Sequence, residues 1–178
     1  MNALTISLRN IALMTILLGG IYPMTVLVLG KTFFPIRSGG SVVVSEGKVL
    51  GSELIAQKFT RDEYFWPRPS AVDYAAHSGG ASQKSGTSKH LKDAYLAREA
   101  VLGKGAPMDM LYASGSGLDP HISLESAHFQ QARVGAKRNL TDTQMNKIIK
   151  QVSEERFLGF MGQPRVNVLK LNQILDKK

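Results

Sequence analysis

Residues 11–29, IALMTILLGGIYPMTVLVL, contain no charged side chain and lie between Arg9 and Lys31. At about 1.5 Å of rise per residue, a helix of this run covers roughly 28 Å, close to the hydrocarbon thickness of a bilayer. A secretory leader is the alternative reading. Its apolar stretch is usually about 7–15 residues and ends at a small-x-small cleavage site. Here the run is longer, and GKTFFPIRSGG follows, with Phe33, Phe34 and Pro35 ahead of any small residues. An uncleaved anchor is therefore expected. The organisation that follows is a short cytoplasmic tail over residues 1–10, a transmembrane helix over 11–30, a linker over 31–40 and an extracytoplasmic soluble domain over 41–178.

Within the run, Pro23 has no N–H to donate to the Gly19 carbonyl, which predicts a bend. The Thr15/Gly19 spacing puts small residues on one face, and with Gly20 and Pro23 these are the candidates for packing against a neighbouring helix. Glycine and proline are also simply commoner in spanning helices than in soluble ones. One helix forms no pore, so any transport needs partners. Charge decides orientation poorly, because Arg9 and the terminal amine stand against Lys31 and Arg37; an external domain is the expectation. The lack of cysteine fits that side without disulfides, and fits a cytosolic domain equally.

The 22 Lys and Arg exceed the 14 Asp and Glu, a net charge of +8, so an acidic partner is expected. The basic residues are scattered, without the clustered stripe and stacking aromatics of a nucleic-acid site. Lipid or protein is the better match. The surplus also argues against a cation site within this chain.

Beyond the anchor the pattern is α+β, one compact mixed domain. SVVVSEGKVLGSELIAQKF (41–59) alternates about a turn at Glu46-Gly47 and reads as a hairpin leading into a strand or short helix. YFWPRPSA (64–71) holds the only tryptophan, and its two prolines push their predecessors towards extended backbone, giving an ordered non-helical ribbon. SGGASQKSGTSK (78–89) reads as a surface loop. Helices are predicted over 89–102, stopped by Gly103, over 123–138 and over 141–152, the last opened by the capping-box pair Thr141 and Gln144. Strands are predicted at 108–114 and within RVNVLKLNQILD (165–176).

SGSGLDPHIS (114–123) has the residue types of a hydrolase site. A serine nucleophile needs a base and an orienting group that converge from separated positions. Asp119 and His121 are too near Ser116 in sequence for that, and Gly115-Ser116-Gly117 is not the five-residue Gly-x-Ser-x-Gly elbow. A turn explains the stretch better: two glycines permit positive φ, Asp119 before Pro120 starts a helical turn, and Ser123 caps the helix that follows. SEGK (45–48) and KSGT (84–87) resemble elements of penicillin-binding proteins, but the Ser-x-Asn element between them is missing. His77, His90, His121 and His128 lack paired metal-ligand spacing, and no Walker-type phosphate loop is present.

Six segments carry a resemblance: GG-x-YP (Gly19, Gly20, Tyr22, Pro23), GSELIAQKF (51–59), YFWPRPSA, SGSGLDPHIS, Q-x-x-RV-x-x-x-R (Gln130, Arg133, Val134, Arg138) and G-x-P-x-VNVLKLN (162–172). In this order, over nearly the whole chain, they are similar to the small C subunit of the bacterial Kdp potassium-transporting ATPase complex. One departure is Pro67, where that family commonly has glycine; proline fixes φ near −65°, so the turn must differ there.

The resemblance implies a non-catalytic, single-pass accessory subunit of the cell inner membrane, required for assembly of an ATP-driven potassium uptake pump and described in the family as a catalytic chaperone raising ATP affinity. It implies as partners a channel-like potassium-translocating subunit, an ATP-hydrolysing P-type subunit and membrane lipid, with ATP and K+ bound through those subunits and no cofactor held by this chain. The family-motif residues expected to act in structure or partner contact are Gln57, Arg68, Pro69, Ser70, Ser116, Gly117, Leu118, Asp119, Gln130, Arg133, Asn167 and Asn172. An external domain cannot touch cytoplasmic ATP, so an effect on ATP would have to pass through the membrane helices, or else the soluble domain would have to face inward. An anchored extracytoplasmic serine hydrolase and a free-standing binding module remain as alternatives.

Overall fold

The computed structural model describes residues 2–45 and 47–177. The chain forms two compact units, Met1–Leu50 and Gly51–Lys178.

In the first, α1 (Ala3–Ile16), a wider turn (Leu17–Ile21) and α2 (Tyr22–Phe33) run on as one helix. This helix, Ala3–Phe33, has 31 residues and a mean hydropathy of 2.1, long and apolar enough to cross a membrane. The wider turn is where Pro23 was expected to act. Tyr22 N–H bonds back five residues to Leu17 O, so the ladder loosens by one residue just before the proline ring has to fit. Two threonine hydroxyls bond within the helix: Thr25 Oγ1 donates to Ile21 O and Thr32 Oγ1 to Val28 O, both at 2.8 Å. A hydroxyl satisfied in this way can enter lipid without stranding a polar group. The stretch read as a linker, 31–40, is mostly helical: α2 continues to Phe33, Phe34 leaves helical geometry, and α3 (Pro35–Ser38) starts on a proline, whose fixed φ suits a first turn. β1 (Val42–Ser45) and β2 (Lys48–Ser52) pair as the expected hairpin. Glu46 of its predicted turn lies outside the described residues; Gly47 has φ +76°.

The second unit is built on a three-stranded antiparallel sheet in the order β3 (His121–Ser123), β5 (Arg165–Asn167), β4 (Ser153–Glu154), with Ile122 opposite Val166 and Ser153 opposite Val166. Three helices pack on it, α6 (Leu124–Arg138), α7 (Asp142–Val152) and α8 (Val168–Asp176), while α4 (Lys89–Leu102) packs on a single turn, α5 (Met108–Leu111), that precedes the sheet. The α6 start is capped as predicted, Ser126 N donating to Ser123 Oγ at 3.0 Å, and the Thr141/Gln144 capping box of α7 is formed in both directions. The core gathers Phe65, Ile122, Val134, Met145, Ile148, Val166 and Leu171. Phe65 is wholly buried, a burial worth about 2–3 kcal/mol relative to exposure.

Two predicted strands are corrected. Residues 108–114 begin as a helical turn, because Met110 and Leu111 are both buried, and neighbours on a strand point to opposite faces. The last strand stops at Asn167, whose Oδ1 accepts the Lys170 N–H at 3.1 Å and so caps a helix. Val168, Leu171, Asn172 and Leu175 then bury one face at three- and four-residue spacing.

Candidate functional site

The ribbon before the first proline, residues 61–66, has no regular structure, yet Phe65 and its backbone are deep inside. Buried peptide groups need partners. Two side-chain amides supply them. Asn172 on α8 accepts from Phe65 N at 2.9 Å and donates to Phe65 O at 3.0 Å. Gln130 on α6 does the same for Trp66, accepting its N–H at 2.7 Å and donating to its carbonyl at 3.1 Å. Each amide thus stands in for a neighbouring strand.

Two arginines of α6 continue the clamp. Arg133 donates to Asp62 O at 2.6 Å and to Gln130 Oε1 at 2.8 Å, with its guanidinium 3.9 Å from the Trp66 ring centre. Arg138 donates to Glu63 O and Leu175 O and pairs with Asp176 at 2.8 Å, lying over the Tyr64 ring. Planar, multi-donor arginine suits both tasks. Gln130, Arg133, Arg138 and Asn172 are therefore brought together on one ribbon.

The remaining motif residues meet around the 114–123 loop. Ser114 N donates to Pro69 O at 3.0 Å, Gly80 N to Ser116 O at 2.7 Å, and Ala56 N to Leu118 O at 2.9 Å. Ser70 Oγ accepts from Val72 N and Tyr74 N, and the Tyr74 hydroxyl donates to Arg68 O at 2.9 Å. Burial, more than nearby Asp73, pushes the Tyr74 hydroxyl up to about 12, against a smaller opposing effect of Arg98, so it stays a donor. Asn167 Nδ2 reaches back to Glu53 O at 2.8 Å. Gly51, at φ +151°, leaves the space that the Gln57 amide fills.

Ser116 is a turn residue: its Oγ accepts the Leu118 N–H at 3.1 Å. Of the two flanking glycines only Gly117 has positive φ, +69°. Asp119 caps differently from expectation. It accepts from His121 N at 3.0 Å ahead of strand β3, not from a helix, and pairs with Arg68 at 3.0 Å. Ser116→Ala should therefore change the melting temperature of the chain by less than about 3 °C, since one hydroxyl at the surface of a turn contributes little.

Burial alone would push the Asp119 carboxyl up, but the His121 side chain and N–H and the Arg68 guanidinium outweigh it and hold it at about 2, below its ordinary 3.8. A folded value below the unfolded one adds stability at and above ordinary pH, and this is lost as pH falls from 3.8 towards 2. Melting curves of the wild type should lose more between those limits than curves of Asp119→Asn, which has no proton to take up.

Asp109 is hidden in the sequence because the pattern of 108–114 reads as a strand; proline at 107 followed by an acid in the first turn is the signal of the helical turn. It accepts from Ser123 N at 2.8 Å and Ser123 Oγ at 3.2 Å, and from the Ser126 hydroxyl, tying α5 to the start of α6. Two of the open clefts are lined by motif residues. One, of about 570 Å³, has mixed charge, with Arg68, Asp109, Asp119, His121 and Arg165 among its walls. The other, of about 410 Å³, is apolar, and Pro67 lines it with Phe59, Trp66, Pro69, Val101 and Met110. Among the described residues no group of three or more His, Cys, Asp or Glu is placed to hold a metal. Along the long helix Thr15, Gly19 and Pro23 are exposed and Gly20 half-buried, and a Cβ added at Gly19 or Gly20 would meet nothing within 4 Å.

The arrangement is a structural lattice with adjoining clefts. A sequence-family model described as the K+-transporting ATPase, c chain, matches residues 4–177. A protein of Leptospira interrogans named "Potassium-transporting ATPase KdpC subunit" is 47% identical, covering 100% of this chain and 95% of the relative. Proteins of the same name from Methylococcus capsulatus, 45% identical over 91% of this chain and 90% of theirs, and from Synechocystis, 44% identical over 97% of both, match as well. With the long apolar helix, the six motifs and this coverage, the chain belongs to the K+-transporting ATPase c-chain family.

Proposed function

We propose that the chain is a non-catalytic accessory subunit of an ATP-driven potassium uptake pump, anchored in the bacterial inner membrane by Ala3–Phe33, with its Gly51–Lys178 unit outside the cytoplasm. The partners are a channel-like potassium-translocating subunit and an ATP-hydrolysing P-type subunit; the relatives' names speak only of a subunit of a potassium-transporting ATPase, which supports a multi-subunit setting. ATP and K+ are held by those partners, and the soluble unit docks beside the external potassium entrance. Any raising of ATP affinity passes through the membrane helices, with Thr15, Gly19, Gly20 and Pro23 as the packing face.

The observation that carries this reading is the use made of the motif residues. Gln130, Arg133, Asn167 and Asn172 bond to backbone carbonyls and N–H groups of distant segments, Ser116 bonds within its own turn, and Asp119 joins its turn to Arg68. Such residues maintain a rigid docking shape, which a subunit needs and a hydrolase nucleophile would contradict. A tagged full-length chain purified from native membrane in mild detergent should bring down two larger membrane proteins and K+-stimulated ATPase activity. A monodisperse chain without companions would overturn the proposal in favour of a free-standing module, and turnover of an ester by the chain alone would favour the hydrolase.

A further inference from the structure

After β4 the chain reads RFLGFMG over residues 156–162. Its turn is closed by its own backbone: Phe157 N donates to Met161 O and Met161 N to Phe157 O, both at 2.9 Å, with Gly159 N on Arg156 O at 3.1 Å. The side chains do the opposite of what a turn in water requires. Phe157, Leu158, Phe160 and Met161 are 69%, 70%, 71% and 51% exposed. Turns at a surface draw on Gly, Asn, Asp, Ser and Pro, and a contiguous apolar patch marks a place of contact.

Charge indicates the kind of contact. Residues 147–165 carry Lys147, Lys150, Arg156 and Arg165 against Glu154 and Glu155. Arg165 is held by Glu154 at 2.9 Å, so the surroundings of the tip keep a positive excess, with the Lys147 and Lys150 residues on the exposed face of α7. An aromatic tip flanked in sequence by an excess of exposed basic side chains matches the boundary between acyl chains and anionic headgroups. The bonds between Phe157 and Met161, with those of Gly159 N and Phe160 N, lower the number of peptide groups that must leave water with the tip. The same chain also carries a helix able to cross a bilayer, which makes lipid the apolar surface always present.

We propose that the 157–161 tip is a second membrane contact: Phe157, Leu158, Phe160 and Met161 enter the headgroup boundary of an anionic bilayer, with Lys147, Lys150 and Arg156 facing its phosphates. This rests on the anchor reading of Ala3–Phe33 and not on the identity of the pump.

Because the chain has no cysteine, a single Phe160→Cys carries an environment-sensitive fluorophore cleanly. The labelled full-length chain is reconstituted into phosphatidylcholine vesicles with or without about 30% phosphatidylglycerol, enough to give an anionic surface, and with a nitroxide high on the lipid acyl chain. The expected result is blue-shifted emission and nitroxide quenching at 160, stronger in the anionic vesicles, while the same label at Lys104→Cys stays water-like. Adding Arg156→Gln should lower the ratio of inserted to free tip in anionic vesicles by roughly fivefold. A water-like, unquenched label at 160 in both vesicle types would overturn the proposal, as would equal quenching at 104. A blue shift that appears only with co-reconstituted pump subunits and without nitroxide quenching would overturn it in favour of a protein contact. Failure of the chain to float with vesicles at all would remove the helix anchor as well, and is thereby distinguished from failure of the tip.

Discussion

Gly117→Val should destabilise the soluble unit by roughly 3–5 kcal/mol, adding left-handed backbone strain to overpacking. At φ +69° a β-branched residue is strained whatever the space around it. Space is also lacking: a Cβ at 117 would fall 2.7 Å from Gly80 O, 2.8 Å from Val72 Cγ2 and 3.3 Å from Ser70 Oγ. Gly80 is itself tied to this loop through Ser116 O, so it cannot withdraw without breaking that bond. The melting temperature of the full chain in detergent, followed by circular dichroism, should fall by about 10–20 °C for a unit of this size. Gly117→Ala should fall by less, and Ser116→Ala hardly at all. An active-site serine would reverse the order in activity, with Ser116→Ala folded and inactive. Equal stability of Gly117→Val and wild type would remove the turn account altogether.

The second large effect is expected at Asn172. Asn172→Leu keeps the γ-branched shape in a larger side chain but leaves Phe65 N and O without partners at a wholly buried residue. Each stranded group costs about 1–3 kcal/mol, so a loss of roughly 3–4 kcal/mol is expected in a denaturant midpoint measured at constant slope. Asn172→Asp tests the geometry further. Its carboxylate can still accept from Phe65 N, but only the protonated acid can donate to Phe65 O. Burial raises the carboxyl pKa in the folded state, so the folded form binds more protons than the unfolded one and the variant gains stability as pH falls. Its deficit relative to wild type should therefore shrink between pH ~8 and ~5. A deficit for Asn172→Leu below about 1 kcal/mol would mean that water replaces the amide, and that the ribbon is not held by side chains.

What the sequence determined by itself was whatever depends on neighbours along the chain. The uncharged run from 11 to 29 is a property of consecutive side chains, and the helix over Ala3–Phe33 follows from it. Helix α4 and the two caps at Ser123 and Thr141 were legible because a cap bonds an N–H only three residues away. The tertiary structure alone decided the rest. Met108 to Leu111 and the stretch after Asn167 are short apolar runs whose period is ambiguous, and which face is buried depends on the core they meet. Pairings such as Phe65 with Asn172 or Asn167 with Glu53 span more than a hundred residues, and no local spacing encodes them. An irregular ribbon can be buried only if distant amides complete its hydrogen bonds, and which amides do so is settled when the helices pack.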